Sequence, residues 1–289
     1  MTDGERPLVA VVTGASRGAG LAIARALGDA GATVYVTGRS RRGVGTTEGL
    51  AGTIEDAAAA VDGEGGRGIA AHVDHTRDDE VASLFDRVNR EQGRIDLLVN
   101  NVWGGYEGYF DAEFDAPFWQ QPLRRWASMF DAGVRAHFTS SACAAPIMIR
   151  QGSGLILSTV AWAFDRYMGN VLYDTSKAAI IRMVYGMAAD LAPFGVSALA
   201  IAPGFMRTER VLAAHAVRPF DLSATESPAY LARGVAALAL DPEVHRRSGR
   251  LVTVGELARE YGFTDVDGTQ PPPFALPDGA AGATAAVNP

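Results

Sequence analysis

The sequence predicts an α/β fold: a Rossmann-type, doubly wound sheet of about seven parallel strands with helices on both faces, in a single domain. Three observations lead there. Apolar runs of strand length alternate with helix-length stretches as far as about Gly262. Those runs are apolar almost throughout, the pattern of strands buried on both faces. The turn joining the first strand to the first helix is rich in glycine.

Strands are expected at Leu8–Thr13, Thr33–Thr37, Gly68–Val73, Ile95–Asn100, Gly154–Thr159, Val196–Ile201 and Arg250–Val254. Between them, Leu21–Ala30, Asp78–Gln92, Leu123–Arg150, Tyr173–Ala192 and Pro228–Leu240 read as helices. Right-handed crossovers then place ligands beyond the strand C-termini. Two segments depart from this plan. Val102–Trp126 follows the fourth strand and carries Trp103, Tyr106, Tyr109, Phe110, Phe114, Phe118, Trp119 and Trp126. It is either a loop packed on its own small core or the wall of a hydrophobic substrate pocket. From Asp265 to Pro289 the chain is rich in Pro, Gly and Ala, and is expected to be extended or disordered.

Composition excludes several classes. A net charge of −7 argues against nucleic-acid binding. No run approaches the roughly 18 apolar residues of a membrane span, and the short polar stretch Met1–Arg6 does not read as a signal peptide. One cysteine, Cys143, allows no internal disulfide and fits a reducing, cytoplasmic setting. His72 and His75 lack the companions a metal site needs, so no metal is expected. Among 26 basic residues, Lys177 is the only lysine. A lone lysine in an arginine background suggests a place where a compact, tunable ammonium is required and a planar fork will not serve.

The first strand runs into Thr13-Gly14-Ala15-Ser16-Arg17-Gly18-Ala19-Gly20, and a helix follows. Glycines at 14, 18 and 20 permit a tight turn, close approach of a pyrophosphate and helix–strand packing. The free N–H groups and the helix dipole attract phosphate there. In a site for NAD an acidic residue ends the second strand and holds the ribose 2′-hydroxyl. Here that stretch is Val36-Thr37-Gly38-Arg39-Ser40, with no carboxylate. Arg39, joined by Arg17 of the glycine loop, suits a 2′-phosphate, which favours NADP(H) over NAD(H).

Tyr173 and Lys177 stand four residues apart at the start of an expected helix, hence on one face. A phenol with its usual pKa of about 10 is a sluggish proton donor, and a neighbouring ammonium lowers it. Such a pair suits carbonyl reduction, the phenol protonating the alkoxide that forms when hydride adds to carbon.

The glycine loop, Asp74 after the third strand, Asn100-Asn101 after the fourth, Tyr173-x-x-x-Lys177 and Pro203-Gly204 occur in an order that resembles the short-chain dehydrogenase/reductase family, over roughly residues 7 to 264. More narrowly, the aromatic insert, Gly133-Val134-Arg135-Ala136-His137 and Tyr261–Gly268 look like the subgroup typified by dehydrogenase/reductase family member 1. The resemblance implies an NADP(H)-binding domain at residues 1–264, with the insert at 102–126 and a tail at 265–289. It implies that Asp74 lies by the adenine and Asn101 beside the cofactor. It further implies that Lys177 bonds the nicotinamide ribose, that Pro203, Gly204 and Thr208 border the nicotinamide, and that the chain forms a homo-oligomer.

Three departures qualify the match. The family's Asn-Asn-Ala-Gly is Asn100-Asn101-Val102-Trp103 here. Gly133 stands where a fourth catalytic residue, an asparagine, generally falls, which leaves either room for a water relay or slower proton delivery. The carbonyl-binding serine falls at Val160 and Ala161, while the nearest hydroxyls, Ser158 and Thr159, lie 15 and 14 residues before Tyr173. The expected function is NADP(H)-dependent hydride transfer to or from a hydrophobic carbonyl or alcohol. The expected catalytic set is Tyr173, Lys177, Ser158 and Thr159. Reduction of activated C=C bonds and a weakly catalytic, cofactor-sensing role are the competing readings.

Overall fold

The computed structural model describes residues 6–107, 113–162, 166–217 and 219–276. Its strands are β1 (Val9–Val12), β2 (Thr33–Gly38), β3 (Arg67–His72), β4 (Leu97–Asn100), β5 (Gly154–Thr159), β6 (Val196–Ala202), β7 (Phe205–Met206), β8 (Thr225–Glu226) and β9 (Leu251–Thr253). Seven of them form one sheet in the order β3-β2-β1-β4-β5-β6-β9. Every pairing in it is parallel. β7 and β8 pair with each other apart from it. The strand order reverses between β1 and β4, so the crevice beyond their C-termini is where this topology receives a ligand.

Alternation along the strands supplies two cores. Ala10 and Val12 of β1 pack with α1 (Gly18–Asp29), α2 (Ile54–Gly63) and α8 (Pro228–Leu240) on one face. Val9 and Val11 point the other way, against α3 (Asp78–Gln92), α5 (Ala136–Gln151) and α6 (Val171–Leu191). All seven residues of β6 are buried, as a central parallel strand requires. Removing one such side chain, Ile201→Ala for example, costs about 2–5 kcal/mol.

Helices absent from the sequence expectation also form: α2, α7 (Glu209–Val217) and α9 (Val254–Tyr261). Both α2 and α9 have local start signals. Thr53 Oγ1 accepts from Asp56 N at 3.1 Å, and Thr253 with Glu256 makes a full capping box. That box ends the last strand one residue before the expected Val254. The long helix expected over Leu123–Arg150 is composite. It opens as α4 (Arg124–Trp126), widens into a π-helical stretch over Ala127–Arg135, and continues as α5.

The chain from Asp265, expected to be extended or disordered, runs without helix or strand but packs against the rest of the protein as far as Leu276. Asp265 is buried and accepts from Ser227 N at 2.8 Å and Val266 N at 2.7 Å. Pro271 O accepts from Tyr230 Oη at 3.0 Å, while Phe274 and Leu276 pack on the cluster around Tyr173. The physical reason is burial: this stretch has apolar side chains and a buried carboxylate to anchor, which proline-rich composition conceals. Residues 277–289, Tyr109, Phe110 and Asp111 lie outside the described residues.

Candidate active site

A cavity of about 1390 Å³ opens at the C-terminal ends of the sheet, from the glycine loop at one end to Tyr173 at the other. At the glycine end, Gly14 and Gly18 have φ of +64° and +56°, a region side chains resist. A Cβ on Gly14 would also stand 2.8 Å from Val102 Cα. Gly20 serves packing: its Cβ would stand 2.4 Å from Gly14 O and 2.7 Å from Asn101 Nδ2. Accordingly Gly14, Ser16, Arg17, Gly18 and Ala19 line the cavity and Gly20 does not. Asn101 locks the turn, donating through Nδ2 to Thr13 O and Gly14 O, both at 3.1 Å.

Arg39 lines the cavity and pairs with Glu107. Arg17 bonds Ser40 Oγ at 2.7 Å and the carbonyls of Ala51 and Gly52 at 2.9 and 3.0 Å, which ties the β2–α2 loop to the phosphate loop. Burial, then the charge of Arg210, lower the Arg17 pKa. Asp74 also lines the cavity. Burial works to raise its pKa, but N–H and O–H bonds from Thr76 hold it below the usual carboxylate range.

At the other end α6 presents the Tyr173–Lys177 pair. Asn170 caps this helix, its Oδ1 accepting from Leu172 N and Tyr173 N at 3.0 Å, while its Nδ2 donates to Phe114 O at 2.5 Å. One asparagine therefore fixes both the helix start and the aromatic insert. Tyr173 is 9% and Lys177 7% exposed, so both titrating groups are largely dehydrated. Burial pushes the Tyr173 phenol well above its ordinary value, with Tyr106 and Asp174 adding to the effect. Burial draws Lys177 down to about 7. For both groups the first cause is the same: burial disfavours the charged form, phenolate in one and ammonium in the other.

Lys177 Nζ lies 3.4 Å from the centroid of the Trp103 ring, a close cation–π contact, and 5.5 Å from that of Tyr173. Trp103 meets Tyr173 edge to face at 5.6 Å, Phe114 does so at 5.5 Å, and Tyr106 stacks on Tyr173 at 6.4 Å and shares a hydrogen bond with it. The two oddest departures in the sequence explain each other here. A Cβ on Gly133 would stand 2.7 Å from Trp103 Cζ3, and one on Gly105 would stand 2.4 Å from Trp103 Cζ2. The space left by the absent asparagine side chain is therefore filled by indole, which corrects the expectation of room for a water relay.

The two hydroxyls of β5 part company. Thr159 lines the cavity and donates to Asn100 O at 3.4 Å. Ser158 is 1% exposed and off the cavity wall, because successive strand side chains point in opposite directions. Val160 and Ala161 continue the wall. Pro203, Gly204 and Thr208 line the cavity between the two ends.

A family model described as short chain dehydrogenase matches residues 8–216. The chain belongs to the short-chain dehydrogenase family. It is an oxidoreductase, of a family that binds NAD or NADP and acts on CH–OH or C=O groups. It is 37% identical over 273 residues to dehydrogenase/reductase SDR family member 1 of Mus musculus, covering 90% of this chain and 83% of that one. With 7alpha-hydroxysteroid dehydrogenase of Escherichia coli K12 it shares 31% over 205 residues, 69% of this chain and 71% of the relative. A solved hydroxysteroid dehydrogenase from Escherichia coli superposes with a TM-score of 0.69 at 26% identity, covering 85% of this chain and 94% of that one. A solved metagenomic short-chain oxidoreductase in complex with NADP gives 0.65 at 26%, covering 85% and 95%.

Sequence reasoning missed one contributor to the cavity outright and named two others, Trp103 and Tyr106, only among the eight aromatics of an insert that could be a packed loop or a pocket wall. Glu226, 2% exposed and on the cavity wall, gave no signal, since its place depends on the β7–β8 pairing.

Proposed function

We propose that this protein is an NADP(H)-dependent oxidoreductase that transfers hydride between nicotinamide and a hydrophobic carbonyl compound or its alcohol. One observation carries the reading: a single cavity joins a glycine-built phosphate cradle to a buried Tyr173–Lys177 pair walled by aromatic rings. Gly14, Ser16, Arg17, Gly18 and Ala19 hold the pyrophosphate at the start of α1, with Gly20 keeping the helix close. Arg39 and Arg17 take the 2′-phosphate, Arg39 exchanging the Glu107 carboxylate for it. The NADP complex of the metagenomic relative fits this preference. Asp74 borders the adenine, Asn101 braces the cofactor loop, and Pro203, Gly204 and Thr208 border the nicotinamide.

The nicotinamide, when bound, supplies or accepts the hydride. Tyr173 is the general acid that protonates the forming alkoxide in reduction, and the general base that takes the alcohol proton in the reverse direction. Lys177 holds the ribose, with its ammonium supported by the Trp103 face. Tyr106, Phe114, Met168, Phe274 and Leu276 exclude water and select an apolar substrate. Exposed Phe138 and Tyr185, on α5 and α6, support a homo-oligomer built on these helices, checked by mass in solution.

The test is oxidation of NADPH, and separately of NADH, with a panel of aromatic and alicyclic ketones. Turnover with NADPH is expected, together with a loss of about 10²–10⁴-fold in Tyr173→Phe while the cofactor still binds. Full turnover in Tyr173→Phe, or equal efficiency with NADH, would overturn the corresponding assignment. Reduction of activated C=C bonds is the second reading, favoured by the apolar wall of Val160 and Ala161. An enone whose product retains its ketone would decide for it.

A further inference from the structure

Glu226 is the buried carboxylate on the cavity wall that the proposed reaction does not use. It ends β8, whose residues pair with β7: Met206 stands opposite Glu226 and Arg207 N donates to Glu226 O at 2.8 Å. Its side chain turns under the Pro203–Gly204 turn, where the Gly204 N–H donates to the carboxylate. A Cβ on Gly204 would stand 2.7 Å from Glu226 Oε2, so only glycine lets this carboxylate so close to the backbone. The other oxygen, Oε1, is buried and has no hydrogen-bond partner, one of four such side-chain atoms among the described residues. A buried acceptor left unmade is costly, and on a residue of the cavity wall it calls for a donor.

The position selects the donor. The loop that carries Gly204 continues to Thr208 and Glu209, whose side chains stand nearest a Cβ placed on Gly18 of the phosphate loop, at 3.8 and 3.6 Å. This wall therefore spans from the pyrophosphate cradle toward Tyr173, the interval a nicotinamide ring must occupy to exchange hydride beside that phenol. Nicotinamide carries one group with N–H donors, its carboxamide. Resting on the cofactor assignment above, we propose that Glu226 is a positioning residue whose free carboxylate oxygen accepts a hydrogen bond from the nicotinamide carboxamide and so sets which ring face meets the substrate.

The charged and titratable groups around Glu226 are few. Burial raises its pKa to about 7, Gly204 N–H opposes this, Asp265 adds to it and Arg207 opposes it. Tyr230, whose phenol is raised to about 12, stays neutral throughout. A ligand donor favours the carboxylate form, so the Glu226-dependent part of cofactor affinity grows as pH rises through about 7.

The experiment measures equilibrium binding of NADP⁺ and of its 3-acetylpyridine analogue, which has a methyl ketone in place of the carboxamide. Wild-type protein is expected to bind NADP⁺ about tenfold more tightly than the analogue. Glu226→Gln keeps the shape but has one acceptor oxygen to serve both Gly204 and the ligand. It is expected to lose most of that discrimination, together with the rise of NADP⁺ affinity through about pH 7 that wild type shows. The wild-type comparison needs no variant, so a folding defect in Glu226→Gln would not shelter the idea. Equal affinity of wild type for the two dinucleotides overturns it, as does an equal loss for both in Glu226→Gln. So does a change confined to the substrate KM. Failure of wild type to bind either dinucleotide would instead sink the cofactor assignment on which this rests.

Discussion

At the phosphate end of the cavity glycines do the shaping, whereas at the Tyr173 end aromatic rings do. Gly14, Gly18 and Gly20 act through the backbone, by a turn with positive φ and by close contacts that a Cβ would break. Trp103, Tyr106 and Phe114 act by filling space around a phenol and an ammonium that they help to dehydrate. The glycine turn itself is one short segment, braced from outside by Asn101 and by the bonds of Arg17 to Ser40 and Gly52. The Tyr173 end draws on the insert, the π-helical stretch, α6 and the segment after Asp265. Features made by neighbouring residues accommodate a common cofactor, and features assembled from distant segments set what is particular to this chain.

The sharpest way to break that contrast is at Lys177. Lys177→Met is expected to lower turnover by at least about 100-fold and NADP⁺ affinity by about tenfold through the lost ribose bond. It is also expected to leave thermal stability unchanged or raised. The sign follows from the folded value of about 7 against an ordinary 10.5. The unfolded chain holds this proton more tightly, so burial of Lys177 costs stability below pH 7, and the cost fades toward pH 10.5. Denaturant titrations at pH 7 and pH 10 should show a rise in wild type that Lys177→Met lacks.

Arg39→Ala tests the other end. Losing a charge-assisted contact to a 2′-phosphate should reduce the preference for NADPH over NADH by about tenfold or more, with kcat on NADPH little changed. Measured kcat/KM for the two cofactors checks it, and an unchanged ratio would remove Arg39 from the phosphate site.

A chain ended after Pro271 keeps the Tyr230–Pro271 bond and removes Phe274 and Leu276 from the wall. Its KM for an apolar ketone is expected to rise about five- to tenfold, with cofactor affinity unchanged. If both constants move together, the segment braces the whole cavity and the contrast between the ends weakens.

The smallest effect concerns the coupling of Gly133 to Trp103. Gly133→Asn forces a side chain against the indole and should cost about 1–3 kcal/mol, a few degrees in Tm for a domain of this size. Adding Trp103→Ala should recover part of that loss. Purely additive losses would show that the two positions are independent.

The sheet was legible because each buried strand is a short apolar run and each crossover a helix-length segment. Among the helices, α3 matches its expected bounds and α6 begins two residues early, where Asn170 supplies the cap. The missed helices α2 and α9 do carry an apolar stripe, Ile54, Ala57, Ala58 and Val61 in one and Val254, Leu257 and Ala258 in the other, but each is short, and its start is marked by a cap at Thr53 or Thr253. At the site, the residues that the structure brings to the cavity include nearly all those named from motifs; Gly20 lies beneath the loop and Ser158 behind the wall. A motif gives an order along the chain, and whether a strand residue faces the cleft or the core depends on where the strand ends.

The sequence by itself determined the parallel sheet, the phosphate loop and the Tyr173–Lys177 spacing. Each of these follows from contacts within a turn or two of chain, or from the burial pattern of one segment. Only the tertiary structure decided that Trp103 lies over Lys177 in the notch left by Gly133, that the segment through Leu276 closes the cavity, and that Glu226 stands beneath Gly204. Those contacts join residues far apart in the chain. Their strength comes from dehydration and close packing, which exist only once the separate segments have met.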